Sequence, residues 1–154
     1  MNTTTEQNYF RKMRDLQCKT EPALSMMNYM ILSDTRIDLF EKFNVNSLLE
    51  VLFLMVLPEY NGVGVGIELV NYSVKLAEYL KHGQDSEKYL AFGEPAPQLV
   101  AAIWTGRGSQ SIGQKLGFEV IFKEPMANFL YKGRNFAERV GDFSLEHQVT
   151  IKRI

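Results

Sequence analysis

Cysteine is almost absent: Cys18 is the only one in 154 residues. A single thiol cannot close an intramolecular disulfide, so a reducing, cytoplasmic setting is expected. No His or Lys pattern beside Cys18 would activate it. Net charge is nearly absent too. The 17 Lys and Arg offset all but one of the 18 Asp and Glu, leaving −1. No strong field therefore draws the chain to nucleic acid or to an anionic membrane, and neither is expected as a partner. Long hydrophobic runs are missing. The longest, Leu48–Leu57, is broken by Glu50 and falls well short of the roughly 20 residues that span a bilayer. The opening stretch MNTTTEQNYFRKMRD has no hydrophobic signal core. Histidine is limited to His82 and His147. Neither has a second ligand near it in sequence, so no metal is expected. No internal repeat or low-complexity tract is visible. With 45% hydrophobic and 23% charged residues, the composition is that of one soluble globular domain.

The hydrophobic pattern divides this domain into a helical segment over 1–46 and a core over 47–154. Residues 1–8 are polar and read as a frayed end. Tyr9–Cys18 reads as a short helix interrupted by Pro22. Leu24, Met26, Met27, Tyr29, Met30 and Ile31 give Ala23–Leu32 an apolar helical face, with methionine as core filler. Asp34 reads as the N-cap of a helix over Thr35–Phe43, and Asn44–Asn46 as a turn. Ser47–Leu57 is nearly all apolar, as a strand covered on both faces is, and Pro58 ends it. Gly64–His82 is the strongest helical pattern. Gln84–Pro97 reads as a loop and Gln98–Thr105 as a second buried strand. Ser109–Leu116 reads as a short helix. Phe118–Lys123 reads as a third strand, with Phe118, Val120 and Phe122 on one face. Asn128–Val140 reads as loop with some helix, and Leu145–Ile154 as a closing strand. The order implies an α/β protein whose first two core strands are parallel neighbours joined by a crossover helix. The turn after the first core strand then lies at its carboxyl end, where ligands sit in such sheets.

That turn is Asn61-Gly62-Val63-Gly64-Val65-Gly66. The first N–H groups of a helix have no partner within it and, with the helix dipole, attract phosphate. Glycine removes the Cβ that would hold a diphosphate away. A Walker A loop is excluded because no lysine follows these glycines. The dinucleotide fingerprint fails at Ile67 counting from Gly62, and at Leu69 counting from Gly64. The acetyl-coenzyme A turn, Arg/Gln-x-x-Gly-x-Gly/Ala, fits except for Asn61 in first place. A purely structural turn can carry the same glycines.

The context is more specific. Leu54 to Gly66 resembles the central motif of the GNAT N-acetyltransferase superfamily. Ser109 to Phe118, ending in Lys115-Leu116-Gly117-Phe118, resembles its second hallmark. Asp38-Leu39-Phe40, Thr105 with Ser109-Gln110, Gly133-Arg134-Asn135-Phe136 and His147 resemble the insect arylalkylamine N-acetyltransferase-like branch. The resemblance covers roughly residues 35–154. It implies a mixed sheet flanked by helices, with a bulged central strand that splays from its neighbour. Main-chain groups of Leu54, Met55 and Val56 would pair with the pantetheine arm of acetyl-CoA. Asn61, Gly62, Val63, Gly64, Val65 and Gly66 would hold the pyrophosphate. Acetyl would pass to a small primary amine, an arylalkylamine such as dopamine, serotonin or tryptamine. The amine attacks the thioester directly, and backbone donors stabilise the oxyanion. Thr105 and Ser109 match the branch's pair of small hydroxyl residues and are the candidate catalytic residues. Ser109 is also a candidate coenzyme contact. On their own they read as a strand-end threonine and a helix cap.

Three features depart from the pattern. Asn61 stands where Arg or Gln is usual. Gly113 stands where many members carry a tyrosine general acid. Only about fifty residues precede the central strand, whereas the family begins with a strand, two helices and two further strands. The carboxylate that serves this branch as base has no counterpart. The expectation is a GNAT core without its N-terminal strands and with an apolar edge exposed. The alternative reading is an inactive coenzyme A-binding relative.

Overall fold

The computed structural model describes residues 2–3, 9–83, 86–90, 93–141 and 144–154. At its centre is a five-stranded sheet. In spatial order its strands are β1 (Asn2–Thr3), β2 (Ser47–Val51), β3 (Leu99–Trp104), β7 (Glu146–Arg153) and β4 (Glu119–Pro125). β2 and β3 are parallel, and the other neighbours are antiparallel. The crossover between the parallel pair is α4 (Val65–Lys81), and α6 (Arg107–Lys115) follows β3. Both helices lie on one face, where Val70, Val74 and Ala77 pack on Val100, Ala102 and Trp104. The other face is covered by α1 (Tyr9–Gln17), α2 (Glu21–Asp34) and α3 (Leu39–Phe43). α5 (Ser86–Tyr89), the hairpin of β5 (Leu130–Tyr131) and β6 (Arg134–Asn135), and α7 (Phe136–Val140) complete the chain. Among the described residues, no helix is long and apolar enough to cross a membrane.

β3 is apolar throughout because both of its faces are covered. Leu99 and Ala101 join the cluster around Leu39 and Ile151, while Val100, Ala102 and Trp104 meet α4 and α6. Each large side chain buried here contributes about 1.5–3 kcal/mol. The parallel pair, the crossover helix and the mixed sheet flanked by helices follow the sequence pattern.

Several boundaries differ. Residues 2–3 form β1 on Ser47 and Leu48, a non-local pairing invisible in a polar end; the rest of 1–8 lies outside the described residues. Pro22 opens α2 within its first turn, where its missing N–H costs nothing. Asp34 ends α2, and the cap of the next helix is Asp38, whose side chain accepts from Glu41 N–H at 3.0 Å. The Gln84–Pro97 loop contains α5, while residues 84–85 and 91–92 lie outside the described set. In β4 the register shifts between Val120 and Phe122. Val120 and Lys123 consequently line the same groove, and Phe122 leaves the face shared by Phe118 and Val120. The strand at the end of the sequence is an inner strand of the sheet, between β3 and β4.

Candidate functional site

The expected strand Ser47–Leu57 stops pairing halfway. β2 follows β3 only from Leu48 opposite Leu99 to Val51 opposite Ala102. Leu52–Leu57 joins no ladder among the described residues, while Ile103 and Trp104 stay paired to Val149 and Gln148 of β7. The parallel strands therefore part into a wedge at their carboxyl ends. The side-chain alternation slips at the same place. Val51 and Leu54 both pack on the α4 side, whereas Leu52 packs with the cluster on the other face. Two residues an odd number apart on one face mark an inserted residue, as in a bulge. Leu54 and Val56 are half-buried beside the wedge, and Met55 is exposed.

The segment leads into the glycine turn. One 3-10 turn, Pro58–Tyr60, is fixed by Tyr60 N–H donating to Leu57 O at 2.9 Å and Asn61 N–H to Pro58 O at 3.1 Å. Gly62 (φ 80°) and Gly64 (φ 94°) then adopt left-handed backbone that a Cβ disfavours. Nothing lies within 4 Å of a Cβ built on Gly62, and only Ile67 Cγ2, at 3.9 Å, near one on Gly64. Asn61–Val65 is exposed. Gly64 offers α4 no capping side chain, so the first-turn N–H groups point outward. Gly66 is the anchor: a Cβ there would stand 3.1 Å from Ile112 Cδ1 and 3.6 Å from Val56 Cγ2. The turn is thereby seated between the central segment and α6. An exposed, Cβ-free cradle at a helix N-terminus fits a diphosphate.

Thr105 and Ser109 are half-buried at the junction of β3 and α6. The helix begins two residues earlier than its pattern suggests, with Gly106 at the N-cap. Ser109 Oγ donates to Gly106 O at 2.9 Å and accepts from Gly106 N–H at 3.3 Å. Its hydroxyl thus fastens the first turn from the third helical position. Gln110 ties this turn to the end of the sheet, donating to Trp104 O, Ser144 Oγ and Glu146 O. Gly113 lies close against the Trp104 indole. A Cβ there would stand 2.3 Å from Trp104 Nε1. That nitrogen is buried and has no hydrogen-bond partner among the described residues.

On the opposite face of the sheet lies a cavity of about 220 Å³. Its apolar wall includes Leu48, Ile103 and Val149, and Asp34, Asp38 and Glu50 bring carboxylates to it. Burial raises the Asp34 carboxyl above its ordinary pKa. Glu50 and Ile103 stand where the parallel strands begin to part, so the cavity and the wedge approach the same sheet opening from opposite faces. The sequence did hold a signal for this cavity, namely a lone glutamate inside an apolar strand.

His147 is wholly buried, with its ring 5.5 Å from Tyr29 and 5.6 Å from Phe129. Among the described residues neither ring nitrogen has a hydrogen-bond partner, and burial lowers its pKa. Glu124, opposite it on β4, is gripped by Arg36 at 2.8 and 2.7 Å and by Asn128 at 3.2 Å. Burial pushes the Glu124 carboxyl up, but these hydrogen bonds and the Arg36 charge hold it below the usual range. His82 is exposed at the C-cap of α4.

No protein-family model matches the sequence, and no curated protein matches it. Solved structures do. A mosquito arylalkylamine N-acetyltransferase-like 5b has a TM-score of 0.69 at 16% identity, over 94% of this chain and 61% of that one. Arylalkylamine N-acetyltransferase 2 from Aedes aegypti has a TM-score of 0.69 at 19% identity, over 100% of this chain and 64% of that one. A Drosophila melanogaster polyamine N-acetyltransferase that catalyses formation of N-acetylagmatine has a TM-score of 0.66 at 18% identity, over 99% and 66%. This chain thus spans less than two thirds of the length of either mosquito structure. At these identities the likeness is one of fold, and the fold is that of the GNAT acetyltransferases.

Proposed function

We propose that this chain, built on the GNAT acetyltransferase fold, is an N-acetyltransferase that binds acetyl-CoA in the wedge and acetylates a small primary amine, specifically an arylalkylamine. The observation that carries the proposal is the parted parallel pair ending in the exposed Gly62–Gly66 turn. In this reading, acetyl-CoA supplies an activated acyl group. The peptide groups of Leu54–Val56 align its pantetheine arm, and the N–H groups of Asn61–Gly66 bind its pyrophosphate. The cavity on the other face receives the amine. Its apolar wall suits an aryl or alkyl body, and its carboxylates suit an ammonium. A carboxylate there can also take the proton that the amine must shed before attack. Relatives of this fold act, by name, on arylalkylamines and on agmatine; the apolar wall favours the former here.

A second reading, coenzyme A binding without transfer, has its own support. Trp104 closes the position from which a tyrosine would act, and the Ser109 hydroxyl is committed to Gly106. Two measurements separate the readings. Calorimetric titration with acetyl-CoA should show saturable binding that Gly64→Val abolishes in a still-folded chain. Release of free coenzyme A thiol should then follow addition of tryptamine or dopamine. Binding without thiol release from any amine panel would select the second reading. A folded chain that does not bind would overturn both.

A further inference from the structure

α4 has two apolar faces where a surface helix ordinarily has one. The first, Val70, Val74, Ala77 and Leu80, is buried against the sheet. The second is Val65, Leu69, Tyr72 and Leu76, spaced +4, +3, +4 and so aligned in one stripe. It is open to solvent, with exposures of 37%, 46%, 67% and 40%. Lys81, on the helix flank toward β7, reaches the carbonyl of Ile154. The stripe lies on the opposite flank, on the outer side of β2. There β1 pairs only with Ser47 and Leu48.

We infer that this stripe is the interface of a two-fold dimer of this chain, with α4 packed antiparallel on α4 of a second copy. The pattern is self-complementary. A two-fold axis passing between the two helices, level with the midpoint of Val70 and Asn71, sets Val65 opposite Leu76 of the second copy, and Leu69 opposite Tyr72. Both pairs share that one midpoint. The charges agree with it. Glu68 and Lys75 sit on the same flank of the stripe, and like flanks meet in an antiparallel pair. Each Glu68 therefore falls two residues, about 3 Å along the helix axis, from the Lys75 of the other copy, within reach of the two long side chains, giving two ion pairs and no like-charge contact. Tyr72, near the centre, is of the type that carries interface energy. At roughly 150–250 Å² for an aromatic side chain and less for aliphatics, the four exposed fractions amount to about 400 Å² per copy. With Glu68 and Lys75 the two copies together cover about 1,000 Å², the lower bound of a specific interface. The two glycine turns stay open at opposite ends of the helix pair.

Sedimentation velocity of the full chain from about 1 to 500 μM tests this, with circular dichroism confirming the fold of each variant. The expected result is a monomer–dimer equilibrium that Leu69→Lys abolishes. Glu68→Lys and Lys75→Glu should each weaken association about tenfold, since symmetry doubles the effect of each change. The double exchange should return it to near the parent value. Such recovery distinguishes this register from non-specific apolar contact. A monomer at every concentration would overturn the inference and leave the stripe to another polypeptide. So would a dimer indifferent to Leu69→Lys, or a double exchange weaker than either single change.

Discussion

Replacing Gly113 by alanine sets two effects against each other. Alanine is favoured over glycine inside a helix by about 1 kcal/mol. The new Cβ, however, would stand 2.3 Å from Trp104 Nε1, 2.9 Å from Cδ1 and 3.0 Å from Cε2, where carbon contacts settle at about 3.5–4.0 Å. The indole must therefore retreat by more than about 1 Å. Little lets it do so. Trp104 is only 3% exposed, its ring meets Phe118 edge-on at 5.5 Å, and its backbone is paired to Gln148. Overpacking of this kind costs about 1–3 kcal/mol, and more where neighbours are fixed. The net expectation is a loss of about 1–2 kcal/mol. At a urea dependence of about 2 kcal/mol/M, this lowers the unfolding midpoint by about 0.5–1 M. Far-ultraviolet circular dichroism in urea reads it directly. Gly66→Ala is the control, because its closest contact is the end of a flexible isoleucine at 3.1 Å; it should be near neutral. Trp104→Phe combined with Gly113→Ala should show a favourable coupling of about 1 kcal/mol. A Gly113→Ala chain as stable as its parent would refute the reasoning and reopen position 113 to a larger side chain.

Three further outcomes follow from other parts of the molecule. Burial holds the folded-state pKa of His147 below its ordinary 6.5, so below about pH 6.5 the unfolded chain binds more protons and stability falls on acidification. The contribution is present above that pH and is lost as pH drops toward the folded-state value. Glu124 and Glu146, which face His147, are themselves held below 4.5 and titrate outside this window; a urea midpoint unchanged between pH 7.5 and 5.5 would contradict the assignment. Arg36→Ala strands the buried Glu124 carboxylate on Asn128 alone. With Arg36 42% exposed, water screens the pair, so the loss in urea titration should be about 1–2 kcal/mol and should shrink when Glu124→Gln is added. Asn61→Arg adds a cation beside the proposed pyrophosphate site and should tighten acetyl-CoA binding about 3–10-fold at low salt. Calorimetry showing no gain would place the phosphates elsewhere.

The parts of the fold legible in the sequence are those that local rules decide. α4, β3 and α6 declare themselves through periodicity, covered faces and flanking glycines. The parallel pair follows from the helix that connects it. The capping aspartate was within reach, since Asp38 is followed three residues later by Glu41, a stronger start signal than Asp34 offers. The central strand was over-extended because apolar composition cannot tell a paired strand from a segment leaving the sheet: Val51–Leu57 is equally apolar before and after it parts from β3. The face assignment of β4 failed at its bulge, which no residue type announces. The glycine turn was readable as an open turn at a helix N-terminus, and the structure adds how Gly66 seats it on Ile112. The acid-lined cavity left one trace in the sequence, Glu50 inside an apolar strand, but its assembly was not readable, because Asp34, Glu50 and Ile103 meet only through tertiary packing.

The place of β7 bears on how this protein is made. Every strand pairing of β4, and the whole outer edge of β3, runs through Glu146–Arg153. A nascent chain that has already emitted Ser47 through Pro125 can form the β2–β3 pair and lay α4 across it, but it cannot close the sheet. Until β7 arrives, β3 and β4 each present an edge of unpaired backbone N–H and C=O groups. Closure is then a single late insertion between two waiting strands, rich in sequence-distant contacts and correspondingly slow. Without this strand, β1, β2 and β3 would remain a three-stranded sheet, and β4 would lose the partner it has among the described residues.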